Sequence, residues 1–296
     1  MAVISTLSET PPVAAAATEL DAAGLDALTA LFRRSRRLLV LTGAGCSTES
    51  GIPDYRDVDG GWKRTQPMQF REFSSDPSAR RRYWARSLFG WERVASARPN
   101  AGHDALARLE AAGFVHWLVT QNVDGLHHKA GSCNVIELHG RLDRVTCLDC
   151  GDTLPREAFQ TELARRNPQW RRRGLERIAP DGDVDLEDVD YERFQVPECH
   201  ACTGILKPDV VFFGESVPRG RVAHAFARLD ESSALLVAGS SLMVWSGYRF
   251  ARAARERDLP VAVVNLGRTR ADGEVTLKVE GRCGAVLQAV AARLGI

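Results

Sequence analysis

Two Cys-x-x-Cys pairs, Cys147/Cys150 and Cys199/Cys202, interrupt a chain whose flanks both read as alternating buried strands and helices. Two thiolates separated by two residues grip one edge of a tetrahedral ion, and a second pair closes the opposite edge. Four sulfurs leave no open position, so the spacing predicts one structural zinc (Zn2+) per chain and not a catalytic metal. Buried free thiols or a thioredoxin-like redox pair are the alternatives, but a redox motif needs one pair where this chain has two. Seven cysteines with four committed to metal fit a reducing cytoplasm. The tetrad thus predicts a zinc-clipped module over 141–205, set into a larger unit built from 23–140 and 206–296.

The larger unit shows strand-length apolar runs at 38–41, 115–119, 135–138, 210–213, 234–237 and 261–264. Helical patterns fall at about 25–35, 77–97, 102–112, 221–229, 247–257 and 284–294. That rhythm predicts an α/β fold, a Rossmann-like doubly wound parallel sheet. Within it, 57–100 reads as a Gly/Asp/Pro-rich loop followed by a basic, aromatic helix, a cofactor loop and helical flap. The middle of the module, 157–194, holds a basic cluster (Arg171, Arg172, Arg173) and an acidic one at 181–190, and reads as a solvated insertion. Residues 1–22 are Ala/Thr/Pro-rich, with Glu9, Glu19 and Asp21 but no Lys or Arg. They are expected to be a disordered tail and not a targeting segment. Net charge is +1, which gives no pull toward nucleic acid or an anionic membrane. The apolar runs are far too short to span a bilayer. A cytoplasmic monomer is expected.

Gly43-Ala44-Gly45 follows the first buried strand, the place where an α/β sheet binds phosphate on loop amides and a helix start. The dehydrogenase form asks for a third glycine where this chain has Thr48, which counts against hydride transfer. The longer run, Gly43 through Glu49 and Ser50 to Gly51-Ile52-Pro53-Asp54-Tyr55-Arg56, resembles the NAD-binding signature of the sirtuins, NAD-dependent protein-lysine deacylases. Matches continue in order: Thr120-Gln121-Asn122-Val123-Asp124-Gly125-Leu126-His127, Glu137-Leu138-His139-Gly140, the tetrad, and Lys207-Pro208-Asp209 through Glu215. Gly239-Ser240-Ser241-Leu242 and Asn265-Leu266-Gly267 complete the series. Tyr83-Trp84-Ala85-Arg86, Cys147-Leu148-Asp149-Cys150-Gly151 and Gln195-Val196-Pro197 are most similar to the class II branch, which includes mitochondrial sirtuin 4. Cys46 departs from the pattern, standing where many members carry an aliphatic residue.

The resemblance implies cleavage of NAD with loss of nicotinamide and transfer of an acyl group from lysine to ADP-ribose. That chemistry needs a base for a ribose hydroxyl, and imidazole suits the task near neutral pH. His139 is the candidate, singled out among seven histidines only by its Glu-Leu-His-Gly context. Asn122 can hold ribose hydroxyls or order a water, Asp124 can accept from a carboxamide, and Gln121 can orient the ribose. An Asx turn after the strand is the bland alternative for this run. Arg56, Ser47, Ser240 and Ser241 carry donors that suit a pyrophosphate, or that merely cap helices. By resemblance Asn265 meets the adenosine ribose, and Cys283 lends backbone near the adenine. The same source gives Val211-Phe212-Phe213-Gly214 as a segment whose backbone pairs with an extended acyl-lysine peptide. Tyr83 and Arg86, three apart on one helix face, would suit a carboxylate-bearing acyl group. Mono-ADP-ribosyl transfer to protein and non-catalytic NAD sensing remain the alternative functions.

Overall fold

The computed structural model describes residues 21–63, 67–170 and 190–296. The expected tail at 1–22 lies almost wholly outside these residues, as do Arg171, Arg172, Arg173 and most of the acidic cluster. In chain order the strands are β1 (Leu38–Thr42), β2 (Val115–Thr120), β3 (Val135–Glu137), β4 (Gly140–Cys147), β5 (Thr153–Pro155), β6 (Leu206–Val210), β7 (Ala234–Ala238), β8 (Val261–Asn265) and β9 (Leu277–Glu280). The helices are α1 (Ala22–Arg34), α2 (Phe70–Ser75), α3 (Pro77–Ser96), α4 (Ala101–Ala111), α5 (Leu126–Lys129), α6 (Arg156–Arg166), α7 (Arg219–Asp230), α8 (Trp245–Arg255) and α9 (Cys283–Arg293).

Six strands form one sheet in the order β3-β2-β1-β7-β8-β9, every neighbouring pair parallel. The central strands β1, β7 and β8 are buried along their whole length, which is why they read as unbroken apolar runs. Leu38 and Val40 of β1 join α1, α4 and α9 in one core, while Leu39 and Leu41 face a second core under α7 and α8. The chain turns back on itself between β1 and β7, a topological switch point that opens a crevice at the strands' C-terminal edge.

A second, three-stranded antiparallel sheet, β5-β4-β6, carries the cysteines. Here the structure departs from expectation. Residues 210–213 do not add a strand to the parallel sheet: the strand here, β6, ends at Val210 and pairs antiparallel with β4. The apolar side chains at 210–213 serve other surfaces, Val210 and Phe212 entering the third core. Of the expected solvated insertion at 157–194, the described part is not wholly solvated, since α6 buries Phe159 and Leu163.

That third core is shared between α3 and the small sheet: Tyr83, Trp84 and Leu88 pack with Val145, Cys147, Phe159, Cys199 and Leu206. Trp84 Nε1 donates to the Leu206 carbonyl at 3.2 Å. Arg156, 2% exposed, reaches from α6 into α3, donating to Ser87 O and Oγ at 3.2 Å. Its guanidinium lies over the rings of Trp84, Trp91 and Phe159 at 5.1–5.8 Å, a cation surrounded by π faces.

Candidate active site

A cleft of about 850 Å³ occupies the crevice, with the glycine loop after β1 and the Gly239–Ser241 loop after β7 as its floor. The two loops touch. Gly43 N donates to Ala238 O at 3.1 Å and Gly45 N to Gly239 O at 2.9 Å. A Cβ on Gly43 would sit 2.7 Å from Ser240 Cβ, and Gly239 holds φ +64 with Cys46 N in the place of any side chain. Glycine is required at both positions by contact and, at Gly239, by the left-handed backbone.

From β2, Asn122 turns inward with 9% exposure, donating from Nδ2 to Gly43 O (2.9 Å) and Ser47 Oγ (3.0 Å). The Ser47 hydroxyl in turn donates a hydrogen bond to Asp124 Oδ2 at 2.7 Å, and Asp124 Oδ1 accepts from Leu126 N. Both amide hydrogens of Asn122 are therefore used. Its Oδ1, which accepts no bond among the described residues, is left as an acceptor beside the cleft. Gln121 accepts from Ser240 Oγ at 2.7 Å.

His139 sits between β3 and β4 on the cleft wall, its Nδ1 2.9 Å from Gln121 O and its Nε2 2.8 Å from Ser246 Oγ. A carbonyl has no proton, so Nδ1–H donates and Nε2 carries the lone pair. Burial chiefly, with the positive charges of Arg249 and Arg221 adding to it against the Gln121 bond, lowers its pKa to about 4. The ring is thus a neutral acceptor at physiological pH.

Pro53, Asp54, Tyr55 and Arg56 line the opposite wall with Ile52. Tyr55, Trp62 and Phe213 meet edge-to-face at 5.6–6.2 Å, and the Arg56 guanidinium stacks 4.0 Å over Trp62 while donating to Gly60 O. Val211, Phe212, Phe213 and Gly214 border the cleft, as do Ala44, Asn265 and Leu266. Three expected cofactor residues stand behind it instead. Glu49 accepts from Gly284 N at the start of α9, Gly267 N donates to Glu280, and the Cys283 thiol is buried against the Val264 carbonyl. The Val211–Phe213 backbone is partly committed internally: Val211 N to His139 O (2.7 Å), Phe212 N to Glu215 (2.8 Å), Phe213 O from Phe70 N (2.8 Å). Buried Lys207 holds Glu215 at 3.0 Å. Tyr83 borders the cleft from α3, wedged among Phe73, Trp84 and Phe212 at 5.3 Å. Arg86, one turn further on, is half-buried and does not line it.

The four cysteines converge, with Cys147 and Cys202 sulfurs 3.5 Å apart and Cys150 and Cys199 sulfurs 3.7 Å apart. A tetrahedron of sulfurs at about 2.3 Å from zinc has edges of about 3.8 Å, so donor chemistry and spacing both fit the ion. A buried trio, Cys46, His103 and His127, is also drawn together. Asn100 N–H donates to His103 Nδ1, so the ring's Nε2 carries the proton and is no ligand.

Ser246 and Arg249 are among the cleft residues that were not singled out from the sequence. Their only signal is position: they open the helix that follows β7, at the C-terminal edge where α/β sheets place their ligands.

The Sir2 family model matches residues 43–246. NAD-dependent protein deacetylase 2 of Bradyrhizobium diazoefficiens is 61% identical over 254 residues, 86% of this chain and 93% of that protein. The NAD-dependent protein lipoamidase sirtuin-4, mitochondrial, of Bos taurus is 49% identical over 271 residues, 90% of this chain and 86% of that one. Among solved structures, a Sir2 enzyme with a p53 peptide and NAD+ superposes with a TM-score of 0.73 at 30% identity, covering 92% of this chain and 98% of that one. Fold, cleft and relatives agree: the chain belongs to the Sir2 family.

Proposed function

We propose that the protein is an NAD-dependent protein-lysine deacylase. NAD, when bound, supplies an activated ribose that receives the acyl group of an Nε-acyl-lysine, with release of nicotinamide. The observation that carries this reading is the His139 lone pair on Nε2, held neutral and turned into a cleft floored by two glycine loops. His139 serves as the general base for the ribose hydroxyl. Asn122 offers Oδ1 to sugar hydroxyls, and Asp124, fixed by Ser47 and Leu126 N, accepts from the nicotinamide carboxamide. The glycine loop holds the pyrophosphate through the Ala44 amide, with Ser47, Ser240, Ser241 and Arg56, while Gly43 and Gly45, whose own amides bond Ala238 and Gly239, let the backbone approach closely. Gln121 orients the ribose; Asn265, Leu266 and Gly267 with Cys283 bound the adenosine end, and Glu49 fixes the loop to α9. The Val211 carbonyl, which accepts no hydrogen bond among the described residues, takes the acyl-lysine Nε–H, with Phe212, Phe213 and Gly214 beside it.

Zinc on Cys147, Cys150, Cys199 and Cys202 holds the small sheet and takes no part in the chemistry. No helix among the described residues is long and apolar enough to cross a membrane. Its setting is the cytoplasm, as a monomer acting on acyl-lysine proteins or peptides and not on nucleic acid. The test is a panel of acetyl, lipoyl, glutaryl and hydroxymethylglutaryl peptides with NAD, read by mass spectrometry. Acyl-dependent nicotinamide release with O-acyl-ADP-ribose is expected; label retained on protein would instead mark ADP-ribosyl transfer. The same panel decides the acyl preference. Tyr83 borders the cleft and Arg86 does not, so an acidic acyl group gains only if Arg86→Met selectively slows the glutaryl peptides.

A further inference from the structure

Ser246 stands in the first turn of α8 with its hydroxyl against the one lone pair through which His139 can act as a base. An imidazole acceptor nitrogen has a single in-plane lone pair, and Ser246 Oγ occupies it at 2.8 Å. The ring cannot turn to present another, because its Nδ1–H is held by the Gln121 carbonyl at 2.9 Å. A proton can therefore reach Nε2 only by evicting the serine or by passing through it. Passage is open. A hydroxyl that donates one hydrogen still accepts on its lone pairs, and Ser246 Oγ has no other hydrogen-bond partner among the described residues. Ser246 lines the same cleft as Asn122 and His139, and its backbone is steadied by Arg249 Nε on its carbonyl at 3.1 Å.

We propose that Ser246 is a further catalytic residue, a hydroxyl relay that carries the proton of the acceptor sugar hydroxyl to His139. The inference rests on the reading of His139 as general base. As the sugar O–H bond breaks, its hydrogen bonds to Ser246 Oγ, and the hydrogen formerly on Oγ bonds to His139 Nε2. The electron pair of the broken O–H bond stays on the sugar oxygen, which becomes the nucleophile. The imidazole becomes imidazolium, and the serine ends neutral as it began. Nothing is oxidised or reduced.

Ser246→Ala removes the relay and Ser246→Thr keeps a hydroxyl in place. One readout needs no co-substrate: the ¹⁵N resonance of His139 Nε2 in the free protein at pH 7. It should move in Ser246→Ala toward that of an unbonded acceptor nitrogen and stay put in Ser246→Thr. The second is single-turnover acyl transfer in H2O–D2O mixtures. Two protons in flight give a bowed dependence on deuterium fraction in wild type and Ser246→Thr. Ser246→Ala should give a straight line and a rate lower by about 10- to 100-fold, near the lower end of general acid–base contributions. An unmoved Nε2 resonance in Ser246→Ala, or a wild-type rate with a straight line in the wild type itself, overturns the relay. His139→Ala keeps the two readings apart. If that variant is inactive while Ser246→Ala is unimpaired, the base stands and the relay falls; if it is fully active, the base itself is misassigned.

Discussion

As the proposed base, His139 must stay neutral to work, and its burial keeps it so. The acid limb of kcat/KM reports the free enzyme's base, so activity should fall only as pH drops toward the His139 pKa of about 4, not near 6.5. An acid limb at 6 to 7 would mean that another group controls the rate. His139→Ala should leave NAD affinity near normal and cut acyl-dependent turnover by about 10²-fold or more, the usual cost of a lost general base. Calorimetry for NAD beside a turnover assay checks both halves. The sequence made His139 legible because a Glu-Leu-His-Gly context set it apart from six other histidines. It could not reveal the tautomer, which depends on the Gln121 carbonyl, nor Ser246, whose partner lies 107 positions away. Arg86 shows the converse limit. Helical spacing placed it near Tyr83, but spacing does not say which side of a helix meets the cleft.

The central parallel strands β1, β7 and β8 were readable because strands buried on both faces must be apolar throughout. β6 and β9 were not. β6 reads Leu-Lys-Pro-Asp-Val, with a proline that demotes a strand from sequence yet is tolerated at a sheet edge, which is where β6 lies. β9 reads Leu-Lys-Val-Glu on the other sheet's edge, with only Val279 fully buried. The junction of β4 with β6 yields a sharp prediction. Gly140 has φ +84, and a Cβ there would lie 2.0 Å from the Asp209 carbonyl oxygen, a backbone atom that cannot swing aside. Gly140→Ala should cost about 2 kcal/mol or more, from strain and overpacking together. Urea unfolding measures it, and a midpoint equal to wild type would show that the two strands separate without loss.

Acid should destabilise the molecule at a pH where ordinary exposed carboxylates are still ionised. His103 and His127 have pKa values lowered chiefly by burial, as His139 does. Unfolded, each ring binds a proton near 6.5; folded, each resists it. The unfolded state therefore holds more protons below 6.5, and stability must fall as pH drops through that value. The loss is up to about 2 kcal/mol per ring at pH 5. Glu137, held up to about 7 chiefly by burial, works in the opposite sense and offsets one ring. Denaturant midpoints at pH 7.5 and pH 5 decide it; equal midpoints would contradict the burial of these rings. The aromatic box around Arg156 has a wider consequence. That guanidinium and the Trp84–Leu206 bond fasten α3 to the cysteine-bearing sheet, so the wall that Tyr83 lends the cleft is tied by packing to the metal clip. Remoteness from the chemistry then gives no insulation, and metal status becomes a dial on substrate grip. Cys147→Ser should release zinc and lower the melting temperature. In molecules still folded it should raise KM for the acyl peptide more than it changes NAD affinity.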